Sequence, residues 1–74
     1  MVKVYSKNNC VQCKMVKRYL EENNVNFTEY NIEEEPKYRD YIVSLGYQAL
    51  PVVETEQTHF SGFRPDLLKL LIEA

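Results

Sequence analysis

Asn9-Cys10-Val11-Gln12-Cys13-Lys14 is the stretch on which the reading of this chain turns. Cys10 and Cys13 are its only two cysteines, set as C-V-Q-C just after a β-branched, aromatic run. Two intervening residues is the spacing at which one helical turn brings both sulfurs to the same end of one helix. A C-x-x-C that follows a strand and opens a helix reads as a dithiol redox motif. The N-terminus of a helix carries uncompensated N–H groups and roughly half a positive charge, which stabilises a thiolate. The thiolate is the form that attacks a disulfide. Cys10, at the helix mouth, is therefore expected to be the attacking sulfur, and Cys13, one turn in and less exposed, the resolving one.

Two other uses of the pair fit less well. A zinc site needs about four ligands in tetrahedral array, and beyond the two cysteines the chain offers one histidine, His59, and some carboxylates. A purely structural disulfide closing so short a loop constrains little of the unfolded chain.

Working outward, the 74 residues make one small domain, residues 1–74, with no room for a second. A domain of this size buries only about 60% of its unfolded surface, so its core must be economical. Tyrosine occurs six times and tryptophan not at all; the tyrosines are expected at the core edge, rings packed and hydroxyls wet. A net charge of −2 argues against a general nucleic-acid or membrane-surface role. No apolar run approaches a membrane span, and Met1-Val2-Lys3 leads straight into a strand pattern, so no signal peptide is expected. Two cysteines without an export signal place the chain in a reducing cytoplasm, where its disulfide is transient and catalytic.

Ahead of the motif, Val2 to Tyr5 predicts a central strand and Ser6-Lys7-Asn8-Asn9 a turn. Behind it, Val11, Met15, Val16, Tyr19 and Leu20 recur at helical spacing up to Asn23, a stripe assigned to the core. Phe27 to Ile32 alternates rings with polar residues, which predicts a strand with one buried face. Glu33-Glu34-Glu35-Pro36 then supplies carboxylates and a proline for the first turn of a helix. That helix runs to about Leu45, with Tyr38, Tyr41, Ile42 and Leu45 inward, and Gly46 ends it.

Leu50 to Glu54 predicts a strand entered through Pro51. Thr58-His59-Phe60 returns as the second strand of a hairpin, with His59 on an exposed edge. Ser61-Gly62-Phe63-Arg64-Pro65-Asp66 breaks the chain, and Pro65 suits the first turn of a last helix buried through Leu67, Leu68, Leu71 and Ile72. The order β-α-β-α-β-β-α gives an α/β fold, a four-stranded mixed sheet with three helices on both faces. Its first two strands are parallel through a right-handed crossover.

That order, with C-x-x-C opening the first helix and a proline before the third strand, resembles the thioredoxin fold in its minimal, glutaredoxin-sized form. C-V-Q-C at Cys10 to Cys13, L-P-V-V at Leu50 to Val53 and S-G-F-R-P-D at Ser61 to Asp66 together resemble the NrdH-redoxins over essentially the whole chain.

The resemblance implies a small dithiol electron carrier with no bound cofactor. It would be reduced by NADPH through thioredoxin reductase, and would in turn reduce the large subunit of class Ib ribonucleotide reductase, acting as a monomer. It implies that Pro51 is cis beside the dithiol and that the backbone of Leu50 is free to pair with an extended segment of a partner. It implies a partner surface made of Val11, Gln12, Leu50, Pro51, Ser61, Gly62, Phe63 and Arg64.

Two departures separate this chain from glutathione-dependent glutaredoxins. Ala49-Leu50-Pro51 stands in place of T-V-P, and Ser61 to Asp66 replaces a G-G-x-D-D-type stretch with bulk and a second proline. Lys7 does not discriminate, since many glutaredoxins are also basic there. A glutathione-dependent glutaredoxin or a general protein-disulfide reductase is the alternative reading. A cluster or metal carrier would need further soft ligands.

Overall fold

Strand β1, Val2–Ser6, lies inside the sheet with a neighbour on each side. The computed structural model describes residues 1–73, and its elements follow in the order expected. They are β1, α1 (Val11–Glu22), β2 (Phe27–Asn31), α2 (Lys37–Ser44), β3 (Val52–Glu54), β4 (His59–Ser61) and α3 (Pro65–Glu73). The sheet order is β2-β1-β3-β4, with β1 and β2 parallel and the other pairings antiparallel.

The alternation along β1 and β3 divides the core in two. Val4 and Val53 point to one face, where they pack with Val16 and Leu20 of α1, Phe60 of β4 and Leu68 of α3. Tyr5 and Val52 point to the other, against Ile32 and Ile42, with Tyr30 and Tyr38 at the margin. Helices α1 and α3 thus cover one face and α2 the other. Tyr5, Tyr30 and Tyr38 touch ring to ring at 4.4–6.0 Å between centroids. Tyr30 and Tyr38 lie at the core edge as expected, whereas Tyr5 is buried and its hydroxyl donates to Glu54.

Helices α1 and α2 end alike. Val25 donates to the Leu20 carbonyl at 2.9 Å and Asn24 to that of Glu21 at 3.2 Å. Tyr47 donates to Ile42 at 3.1 Å and Gly46 to Val43 at 2.9 Å. The pivot in each is a left-handed residue, Asn24 at φ 58° and Gly46 at φ 95°, the form that satisfies the last carbonyls of a helix.

Four expectations need correction. Val11 and Met15 are not core: they are 72% and 42% exposed. The buried line of α1 is Cys13, Val16 and Leu20, and nine residues at ~100° each put Val11 about 180° from Leu20. Strand β2 does not bury one face only. Phe27 and Tyr30 are an odd number of positions apart and pack on opposite faces. Tyr41 is 37% exposed rather than inward, although its ring still leans on Tyr5 and its hydroxyl donates to Glu54.

The carboxylates before α2 do not cap it either. Pro36 takes the cap position without a side-chain bond, and Glu33 is drawn toward the C-x-x-C loop instead.

Candidate active site

Everything at the dithiol is set by how the chain leaves β1. Asn8 and Asn9 turn it, Asn9 adopting φ 56°, a left-handed conformation that asparagine tolerates better than most residues. Cys10 follows in extended backbone, φ −115° and ψ 108°, as the N-cap of α1. Its sulfur occupies the place of a capping oxygen and accepts the backbone N–H of Cys13 at 3.2 Å. The two cysteines form a disulfide with their α-carbons 5.2 Å apart, so this is the oxidised form. Cys10 is 7% exposed and Cys13 1%, so both are buried and Cys13 is the deeper of the two.

Around the pair the structure gathers residues from two further segments. The Leu50–Pro51 peptide is cis, as the resemblance implied, and Pro51 is buried ahead of β3. Gly62, at φ 85°, donates its N–H to the Pro51 carbonyl at 2.8 Å. A β-carbon at Gly62 would stand 3.9 Å from Gln12 Oε1, so the loop after β4 borders the turn between the cysteines. Val11 projects into solvent from that turn. Leu50 is half-buried and lines a groove of about 280 Å³ with Lys7, Arg39, Gln48 and others.

Ser61, expected in a loop, is instead the last residue of β4, paired with Val52. Phe63 is half-buried, packed on the α1–α3 core with its ring edge toward Tyr19 at 6.2 Å. Arg64 directs its guanidinium at Asp66, with contacts of 3.0 and 3.2 Å. That pairing holds the Asp66 carboxyl below its usual range and raises the guanidinium further. Arg64 is thus occupied at the start of α3.

Sequence reasoning missed the residues that tie the loop down. The Asn8 N–H donates to Glu33 Oε1 at 2.6 Å, and Asn31 Nδ2 donates to Asn8 Oδ1 at 3.0 Å. The available signal was Asn31 at a strand end before a turn, a position where a side-chain carbonyl takes backbone N–H groups. His59 is exposed, its Nδ1 at 2.7 Å from the Tyr47 hydroxyl, as befits an edge residue. Among the described residues, no group of three or more His, Cys, Asp or Glu could hold a metal ion. Nor is any helix among them long and apolar enough to cross a membrane.

A dithiol at a helix mouth, following a central strand, is built for disulfide exchange. The family model described as Glutaredoxin matches residues 2–60. The glutaredoxin-like protein NrdH of Lactococcus lactis subsp. cremoris is 49% identical over 71 residues, covering 96% of this chain and 99% of the relative. The chain belongs to the NrdH-type glutaredoxin family.

A second NrdH relative, from Escherichia coli, is 34% identical over 70 residues, covering 95% of this chain and 86% of its own. The solved NrdH-redoxin from Escherichia coli, described as having a thioredoxin-like activity profile, superposes with a TM-score of 0.92 at 34% identity. That match covers 95% of this chain and 92% of the other. The NrdH-type chain described here is accordingly a thiol–disulfide oxidoreductase of the thioredoxin fold.

Proposed function

We propose that this chain is a cytoplasmic, monomeric dithiol carrier that takes electrons from NADPH through thioredoxin reductase. It delivers them to the active-site disulfide in the large subunit of class Ib ribonucleotide reductase. The observation that carries the chemistry is the Cys13 N–H directed at Cys10 Sγ, 3.2 Å away. A hydrogen bond to the charged form of a group favours that form, so this N–H supports a thiolate at Cys10 once the pair is reduced.

In the forward step the Cys10 thiolate attacks one sulfur of the partner's disulfide. A Cys10–partner disulfide forms, the partner's S–S bond breaks, and its second sulfur leaves as a thiolate that takes a proton. Cys13 then loses its proton and attacks Cys10 Sγ. The remaining partner sulfur leaves and is protonated, and the Cys10–Cys13 disulfide closes. Two electrons have moved to the partner, together with the Cys13 proton and one proton from solvent. Thioredoxin reductase reverses the sequence with electrons from NADPH.

Gln12, Pro51 and Gly62, brought together beside the disulfide, and Val11, exposed next to it, support a protein-sized contact surface. Leu50 and Phe63 extend it on either side.

One observation favours the second reading, glutathione. Lys7 and Arg39 line the groove beside Leu50, and glutathione carries two carboxylates that such cations could receive. The experiment compares NADPH consumption with thioredoxin reductase against consumption with glutathione and glutathione reductase, using an oxidised ribonucleotide reductase as acceptor. Turnover with thioredoxin reductase alone is expected. Turnover only with glutathione would replace the proposal by the second reading.

A further inference from the structure

The segment Ser6 to Asn9 has no regular structure beyond the end of β1, yet it must place Cys10 so that its sulfur meets the Cys13 N–H. What fixes it comes from the turn after β2. Asn31 uses both ends of its amide. Its Oδ1 accepts the N–H groups of Glu33 at 2.9 Å and Glu34 at 3.2 Å, and its Nδ2 donates to Asn8 Oδ1 at 3.0 Å. The turn so formed presents Glu33, whose Oε1 accepts the Asn8 N–H at 2.6 Å. Asn8 is therefore held at its backbone and at its side chain, two residues before Cys10.

We propose that Asn31 and Glu33 are positioning residues for Cys10, acting through Asn8 to hold the attacking sulfur against the N-terminus of α1. The proposal rests on the reading of Cys10 as the attacking thiol. These bonds lie at the surface, where water competes for each group, so they add little to global stability. Their effect is local. Asn9 can keep its left-handed bend without them, but the direction in which Cys10 leaves that bend is then free to vary.

A positional role and a purely electrostatic one differ in sign. Removing the Glu33 carboxylate takes a negative charge away from the cysteine, which by itself lowers the thiol pKa. Loosening the loop weakens the N–H contact to the sulfur, which raises it.

The test is thiolate absorbance against pH, with the rate of attack on a small aromatic disulfide, on proteins carrying Cys13→Ser so that Cys10 alone titrates. Glu33→Ala and Asn31→Ala are expected to raise the Cys10 pKa by about half a unit and slow attack near neutrality about two- to threefold. Glu33→Gln, which keeps the acceptor, is expected to restore the parent value or fall below it. Asn8→Ala leaves the turn after β2 intact and should move the pKa in the same upward direction, even if Asn31→Ala fails to fold.

An unchanged pKa in the alanine variants overturns the proposal. So does a lowered one in Glu33→Ala, which would make Glu33 a charge and nothing more. Should Cys13→Ser fail to trap a protein partner through Cys10, the attack reading falls while the titration still decides the clamp.

Discussion

Gly62 donates its backbone N–H to the Pro51 carbonyl at 2.8 Å, locking the loop after β4 onto the residue that leads into β3. The bond requires φ 85° at Gly62, a region where a β-carbon is strained by roughly 1–2 kcal/mol. Space is not the obstacle, since the new atom would meet Gln12 Oε1 at an ordinary 3.9 Å. Gly62→Ala is therefore expected to lower unfolding stability by about 1 kcal/mol, read from denaturant midpoints. It should also slow exchange with a protein disulfide while leaving reduction by dithiothreitol unchanged.

The order of the two sulfurs gives a second expectation. Cys13→Ser should accumulate a mixed disulfide through Cys10 with an oxidised partner, resolved by mass spectrometry after digestion. Trapping by Cys10→Ser instead would reverse the roles.

Phe63 tests the partner surface. Its ring is shared between the α1–α3 core and the loop beside Gly62, so truncation has two effects that must be separated. A buried aromatic anchor at an interface is worth ~2 kcal/mol or more. Phe63→Ala should raise KM with thioredoxin reductase about tenfold or more. Phe63→Leu, which keeps most of the core packing, should recover stability without recovering KM. Equal KM in all three proteins would leave Phe63 as a packing residue.

Acid and alkali should probe opposite faces of the sheet. Burial, together with the hydrogen bond to Glu54, raises the Tyr5 hydroxyl well above its ordinary value. The folded state then keeps that proton after the unfolded chain has lost it. The stabilisation is complete below about pH 10 and disappears as pH rises through the folded value. Tyr5→Phe should flatten the alkaline decline of the denaturant midpoint.

At Glu29, burial pushes the carboxyl up, but the Lys17 ammonium at 2.8 Å and the Ser6 hydroxyl at 2.6 Å outweigh it and the net shift is downward. That stabilisation is present above the ordinary carboxyl range and is lost as pH falls through the folded value. Glu29→Gln should flatten the acid limb.

Wherever one residue's local chemistry decides the outcome, the sequence was legible. C-V-Q-C opens a helix, Gly46 stops one, Pro65 starts one, and the β-branched strands sit at the centre. Misreadings arose where two periodicities compete. Val11 and Met15 look like part of an apolar stripe, but their angle about the helix points them at water, and only the position of the sheet reveals it. Phe27 and Tyr30 look like one face of a strand until their odd spacing is set against a core on both sides. Glu33 is a plausible helix-capping acid by composition. Its actual partner, Asn8, lies in another loop that no local pattern connects to it.

The position of β1 also has a consequence for the order in which the molecule can assemble during synthesis. β1 leaves the ribosome before the other three strands, but its antiparallel neighbour is β3, where Val4 meets Val53. Closing so long a span costs chain entropy before any contact rewards it. A nascent chain cut short before Val52 holds both cysteines and the parallel pair β1–β2, yet has one edge of its central strand bare. The dithiol is thus synthesised well before β3 and β4 close that edge of the sheet.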